Sequence, residues 1–148
     1  MLGDARESVR YLAAHYDFIF LDGFTPDTNP ELWTIDFLSK LKDRLKPDGL
    51  LASYCGAFPF KGALLKLGFH LYESKPFGRR KGGTVAALDA NPVLPPLPEK
   101  EILIATKSTA GTPYRDPLLR WSREEILRDR VEHVAALRTR GMPKWYKH

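Results

Sequence analysis

The chain has 148 residues, of which 43% are hydrophobic and 28% charged, and its 23 Lys and Arg outnumber 18 Asp and Glu for a formal net charge of +5. This is the composition of one ordinary globular domain with a sizeable core, and no apolar run reaches the about 18 residues of a membrane span. A single cysteine, Cys55, excludes an internal disulfide, four scattered histidines assemble no metal site, and the first residues lack the pattern of a signal peptide, so the expectation is a cytoplasmic protein without metal or membrane partners.

Taken in order, the chain alternates helices and strands. A short helix follows Gly3-Asp4-Ala5, from Arg6 to about Ala14. Asp17-Phe18-Ile19-Phe20-Leu21-Asp22 is a nearly continuous apolar run closed by an acid and a glycine. That pattern predicts a buried parallel strand delivering a polar residue at its carboxyl end. A helix is expected next, with Asn29 as cap, Pro30 in its first position and Glu31 in its first turn. Leu32, Ile35, Leu38, Leu41 and Leu45 share one face of it, and Pro47-Asp48-Gly49 ends it.

Residues 49–55 form a second strand and residues 60–67 a short helix stopped by Gly68. Residues 69–75 and 83–88 form two more strands, pairing antiparallel across the basic turn Gly78-Arg79-Arg80-Lys81-Gly82-Gly83. This order predicts an α/β fold: the C-terminal half of a Rossmann-like sheet, mostly parallel with an antiparallel edge hairpin.

Residues 90–98 carry four of the twelve prolines and read as an extended linker. Ile102-Leu103-Ile104-Ala105 suits a short strand. Ser122 and Glu125 form a capping box for a terminal helix running to about Arg138, with Leu127, Val131, Val134 and Ala135 on its apolar face. The division expected is a partial Rossmann-like domain over residues 1–90, then a linker and C-terminal extension with a terminal helix over residues 91–148. Residues 120–148 hold eight Lys or Arg against four acids, a balance that suits a polyanionic partner such as RNA. Cys55 has no activating base in evidence and reads as a buried residue.

In an open parallel sheet, ligands bind beyond the carboxyl ends of the strands, where Asp22 is expected. The turn Asp22-Gly23-Phe24-Thr25-Pro26 offers a carboxylate, a flexible backbone, an aromatic face and a rigid proline. Such a carboxylate can orient an amine and receive its proton, Phe24 can stack on a nucleobase, and Pro26 can hold the turn's shape. On pattern alone, capping a helix or stabilising the loop is the simpler reading of Asp22.

The stretch Phe18-Ile19-Phe20-Leu21-Asp22-Gly23-Phe24-Thr25-Pro26, followed by Asn29-Pro30-Glu31-Leu32-Trp33-Thr34, resembles the signature of the MnmC-type methyltransferases, which modify the wobble uridine of certain tRNAs. Further matches are Pro47-Asp48-Gly49-Leu50-Leu51-Ala52, Ala63-Leu64, Gly68-Phe69 and Phe77-Gly78-Arg79-Arg80-Lys81. The segment Thr112-Pro113-Tyr114-Arg115-Asp116-Pro117 resembles that of the stand-alone members, which lack a fused flavin oxidase domain. Together the matches cover nearly the whole chain.

The resemblance implies a class I methyltransferase sheet with a C-terminal helical tail. It also implies methyl transfer from S-adenosyl-L-methionine to the primary amine of 5-aminomethyl-2-thiouridine in tRNA. Asp22 is then the catalytic acid, with Gly23, Phe24 and Pro26 at the substrate amine. Asp4 and Ala5 match the family's Gly-Asp-Ala step and would contact the cofactor, although Asp4 also suits a helix cap. Arg79, Arg80 and Lys81 suit tRNA phosphates, or a solvated turn.

One departure stands out: no Gly-x-Gly turn occurs near the start. The main cofactor cradle is therefore expected outside this chain, and the chain to be an incomplete version of a longer protein that alone binds cofactor weakly or not at all. An exposed apolar sheet edge is expected with it. A half-domain working with a partner is the alternative. A non-catalytic RNA-binding module and a same-fold methyltransferase acting on another amine are the competing functions. The sequence carries no indication of oligomeric state.

Overall fold

A computed structural model of the protein describes residues 3–75 and 82–146. Its strands are β1 (Tyr16–Phe20), β2 (Leu45–Ser53), β3 (His70–Glu73) and β4 (Thr84–Ala87), and its helices α1 (Ala5–Ser8), α2 (Ile35–Asp43), α3 (Phe58–Lys66), α4 (Glu99–Lys107) and α5 (Arg123–Thr139). The strands form one sheet in the order β1-β2-β4-β3. β1 and β2 are parallel, and β4 is antiparallel to both of its neighbours. Three strands thus run one way, and the hairpin of β3 and β4 forms one edge with its reversed member inside. The fold class is the one expected: an α/β sheet with an edge hairpin and a C-terminal helix.

Several local expectations are corrected. The expected helix beginning at Asn29 is two pieces, a 3₁₀ turn (Pro30–Leu32) and then α2. Asn29 makes no capping bond; its amide donates to Glu31 at 2.6 Å, while Thr34 Oγ1 caps α2 by accepting from Phe37 N at 3.2 Å. The break has a tertiary cause, because Ile35 N donates to the carbonyl of Tyr114 at 2.9 Å instead of to the preceding turn. α2 then buries Phe37, Leu38 and Leu41.

Leu45 belongs to β2, not to the helix, and Pro47-Asp48-Gly49 is an irregularity inside that strand. Tyr16 pairs with Leu45, but Phe18 pairs with Leu50. A Cβ on Gly49 would lie 3.0 Å from the carbonyl oxygen of Asp17, so the close approach of the strands favours glycine. The helix expected to reach Ala14 is only α1 plus a 3₁₀ turn (Val9–Tyr11).

Ile102 to Ala105 lie within α4, not in a strand. A four-residue apolar run has no readable period. Here Ile104 and Ala105 turn inward, and Glu99 and Glu101 favour the first helical turn. In α5 the capping box forms as expected: Ser122 Oγ accepts from Glu125 N at 3.1 Å, and Ser122 N donates to Glu125 Oε2 at 2.7 Å. The inward side is set by Ile126, fully buried in the core, while Val131 is 67% exposed. The apolar face is thus rotated from the one expected.

The proline-rich segment turns at residues 92–94 and then runs along β3, with Glu73 N donating to Pro95 O at 2.9 Å and Leu97 N to Leu71 O at 3.1 Å. At the opposite edge, β1 pairs only with β2 among the described residues. Phe18 and Phe20 there are 53% and 51% exposed and stack on each other, so the strand whose own pattern reads as buried is instead an open aromatic edge, in line with the exposed apolar sheet edge expected above. One core joins the two halves of the chain, with Trp33, Leu38, Leu51, Phe60 and Leu64 packed together with Leu97, Tyr114 and Ile126. Arg79, Arg80 and Lys81 lie outside the described residues.

Candidate active site

The carboxyl ends of β1 and β2 point the same way, and the loops leaving them face each other. The β1–β2 ladder extends one residue past Phe20, through Leu21 N to Ala52 O at 2.9 Å. The chain then turns out at Asp22. Between residues 22–27 and residues 53–57 lies a crevice of about 500 Å³, closed at its base by Trp33. Asp22, Gly23, Phe24 and Pro26, the four residues singled out in this turn, all line it. Asp22 is exposed, and among the described residues no hydrogen bond or ion pair holds its carboxylate. It caps no helix.

The spacing between the turn and the Leu-Trp pair has a physical reason. The Trp33 indole, 1% exposed, donates through Nε1 to the carbonyl of Phe24 at 2.8 Å. Its ring meets Phe60 edge-on at 5.1 Å. A Cβ on Gly23 would come within 2.9 Å of Leu32 Cδ1 and 3.6 Å of the Trp33 ring, so the turn lies flat on this pair. The Thr25 carbonyl accepts from both Thr28 N and Asn29 N at 2.9 Å, and Pro26 is buried. With its backbone held, the Phe24 side chain still projects, 76% exposed. The result is a rigid turn that presents a carboxylate and an aromatic ring.

The C-terminal extension braces this turn from behind. The Tyr114 hydroxyl donates to Asp27 Oδ1 at 3.4 Å, and Arg123 donates to the Asp27 carbonyl at 3.1 Å. Burial pushes the Tyr114 phenol above its ordinary value. Cys55, half-buried in the crevice wall, likewise has its thiol pushed up by burial, which keeps it protonated.

Asp4 and Ala5 lie in a separate hollow of about 370 Å³, together with Gly3, Arg6, Asn29 and Leu32. Leu32 and Asn29, which line it, also lie against Gly23. Asp4 is the N-cap of α1, accepting from Arg6 N at 2.9 Å, and its carboxylate is paired with the Arg6 guanidinium at 2.8 Å. Those bonds hold the Asp4 carboxyl below its ordinary range. Arg6 also reaches the fully buried Asp116 at 2.9 Å and the Trp121 carbonyl at 2.8 Å. Asp116 in turn accepts from Arg120 N and Trp121 N, both at 2.9 Å. Arg6 thereby joins the Gly-Asp-Ala step to the start of the tail. Sequence reasoning missed this link, as it missed the Trp33 and Tyr114 braces.

Residues 1–89 match a family described as S-adenosyl-L-methionine-dependent methyltransferase. Over 92% of its length the chain superposes on 44% of the crystal structure of MnmC2 from Aquifex aeolicus, with a TM-score of 0.83 and 38% identity. The chain belongs to the MnmC-type methyltransferase family. An uncharacterised protein of Methanocaldococcus jannaschii is 34% identical over 93% of this chain and 38% of its own length. The tRNA 5-methylaminomethyl-2-thiouridine biosynthesis bifunctional protein MnmC of Leptospira interrogans is 29% identical over 99% of this chain and 24% of its own. The chain therefore spans less than half the length of these members of the family.

The family uses S-adenosyl-L-methionine, and Asp4, Ala5 and Asp22, the residues the resemblance points to, line two hollows. Asp4 lines the hollow beside Gly3, where a Cβ would meet nothing within 4 Å, and both of its carboxylate oxygens accept from Arg6. Among the described residues no group of three or more His, Cys, Asp or Glu could hold a metal ion, and no helix is long and apolar enough to cross a membrane.

Proposed function

We propose that this chain carries the acceptor side of a cytoplasmic tRNA methyltransferase site. It would act on the primary amine of 5-aminomethyl-2-thiouridine at the wobble position. One observation carries the reading: the Asp22 carboxylate stands unpaired among the described residues, at the carboxyl end of β1, in a crevice that also exposes Phe24.

The chemistry follows from that arrangement. S-adenosyl-L-methionine, when bound, supplies an electrophilic methyl group. An amine accepting that methyl group would have to give up one proton. Its lone pair must be aimed along the line of displacement. Asp22 accepts a hydrogen bond from the amine, which fixes this aim, and then takes the proton. Phe24 stacks on the thiouracil ring, and the Trp33 bond to its carbonyl keeps that ring in register. Asp4 and Ala5 contact the cofactor from the neighbouring hollow. Arg79, Arg80 and Lys81 take tRNA phosphates.

Nucleoside analysis tests the substrate. The protein, in a form that also carries the cofactor cradle, is incubated with the cofactor and with tRNA bearing the 5-aminomethyl group, tRNA lacking it, or free small amines. Methylated nucleoside in the first alone supports the reading; equal labelling of free small amines overturns it.

A further inference from the structure

A second cavity, of about 520 Å³, opens beside the Asp22 crevice and shares three walls with it: Pro26, Asp27 and Ala57. Its far side is built by α5 and the residues after it, with Arg130, Arg138, Lys144 and Trp145 facing Phe58. Three cations thus meet one acid, Asp27, whose carboxylate already accepts from Tyr114.

The cations are held differently. Arg130 lies over the Tyr114 ring, 5.0 Å from its centroid, and donates to the carbonyls of Thr112 and Ala110 at 2.8 and 3.4 Å. A guanidinium has five N–H donors, so donors remain for a ligand. The side chains of Arg138 and Lys144 are exposed and make no hydrogen bond or ion pair among the described residues. Trp145 is 46% exposed while its ring is fixed edge-on to Phe58 at 5.7 Å. At the seam between the two cavities, Ala57 is the N-cap of α3 and supplies no side-chain capping bond, and a helix N-terminus in that state favours an anion.

We propose that this groove binds the RNA strand flanking the nucleotide that enters the Asp22 crevice. Arg130, Arg138 and Lys144 take its phosphates, and Trp145 stacks on a neighbouring base. A nucleotide drawn into the crevice must lead its neighbours over the rim, and the shared wall of Pro26, Asp27 and Ala57 is that rim. Cations beside an exposed aromatic ring, Arg130 held in place and Arg138 and Lys144 free to reach, are what a single strand needs, phosphate contacts for register and a π-face for a base. The inference rests on the tRNA reading above and adds positioning residues to it.

The test measures tRNA affinity against salt and the steady-state constants for R138Q/K144Q, W145A and W145F, with K40Q as a charge control outside the groove. The double variant should weaken binding, raise KM more than it lowers kcat, and flatten the log–log salt dependence by about 0.7 per cation lost. W145A should weaken binding about tenfold, and W145F should recover most of that loss. K40Q should move neither constant. Wild-type affinity and salt slope in R138Q/K144Q and W145A would overturn the groove, even with methyl transfer intact. Salt-dependent binding that needs these residues, with no methyl transfer to tRNA even from a form that also carries the cofactor cradle, would keep the groove and overturn the catalytic reading instead.

Discussion

Trp33 Nε1 donates to the carbonyl of Phe24 at 2.8 Å, so a core residue directly fixes the turn that carries Asp22. Trp33→Phe keeps most of the buried ring and removes the donor, leaving that carbonyl without its partner. The expected cost is about 1–3 kcal/mol in urea unfolding. Methyl transfer should fall further than this loss accounts for, because the turn is displaced as well. An activity loss no larger than the unfolded fraction at assay temperature would show that the bond serves stability alone.

Arg6 and Asp116 form an ion pair across 2.9 Å, with the aspartate fully buried. Asp116→Asn can still accept from Arg120 N and Trp121 N but removes the charge facing Arg6. Breaking a buried pair from one side costs about 3 kcal/mol. Arg6→Met should cost less in the Asp116→Asn background than in the wild type, and a double-mutant cycle by chemical denaturation reads that coupling.

Acid stability reports on Asp4. Its folded carboxyl is held below the ordinary 3.8, first by the side-chain bonds from Arg6. The stabilisation is therefore complete above 3.8 and is lost as pH falls through the lower folded value. Asp4→Asn should flatten the acid limb of a stability profile taken from about pH 5 to about pH 2, leaving the slope above that window unchanged.

Gly62 on α3 touches the backbone of Gly111: a Cβ there would lie 1.9 Å from the Gly111 carbonyl oxygen. Backbone cannot give way as a side-chain tip does, so Gly62→Ala should cost about 3 kcal/mol or prevent folding. Gly56→Ala, whose Cβ would have its nearest neighbour at 3.5 Å, should change stability little. Thermal unfolding of the two variants side by side makes the comparison.

The features legible in the sequence are those written locally. The apolar run into Asp22, the Ser122–Glu125 capping box and the hairpin of β3 and β4 all depend on near neighbours. Each appears where the sequence puts it, within a few residues. The break after Asn29 was hidden because its cause, Tyr114, lies far along the chain. Residues 102–105 gave no period from which to choose helix over strand. The exposure of Phe18 and Phe20 depends on which strands flank β1, which their own pattern does not encode. The groove beside the crevice draws on Phe58, Arg130, Arg138 and Trp145, and only the packing of α5 against the start of α3 brings these together. Lys144-Trp145, a cation beside an aromatic ring in a basic tail, was the one local hint of it.

The central claim is that Asp22 orients and deprotonates the acceptor amine. Single-turnover methyl transfer to tRNA bearing the 5-aminomethyl group, compared between wild type and Asp22→Asn in a form that also carries the cofactor cradle, tests it most directly. Asparagine keeps the shape and removes the proton acceptor, so the rate should fall by about 10²–10⁴-fold while tRNA affinity holds. A wild-type rate in Asp22→Asn, with tRNA bound equally well, would contradict the account.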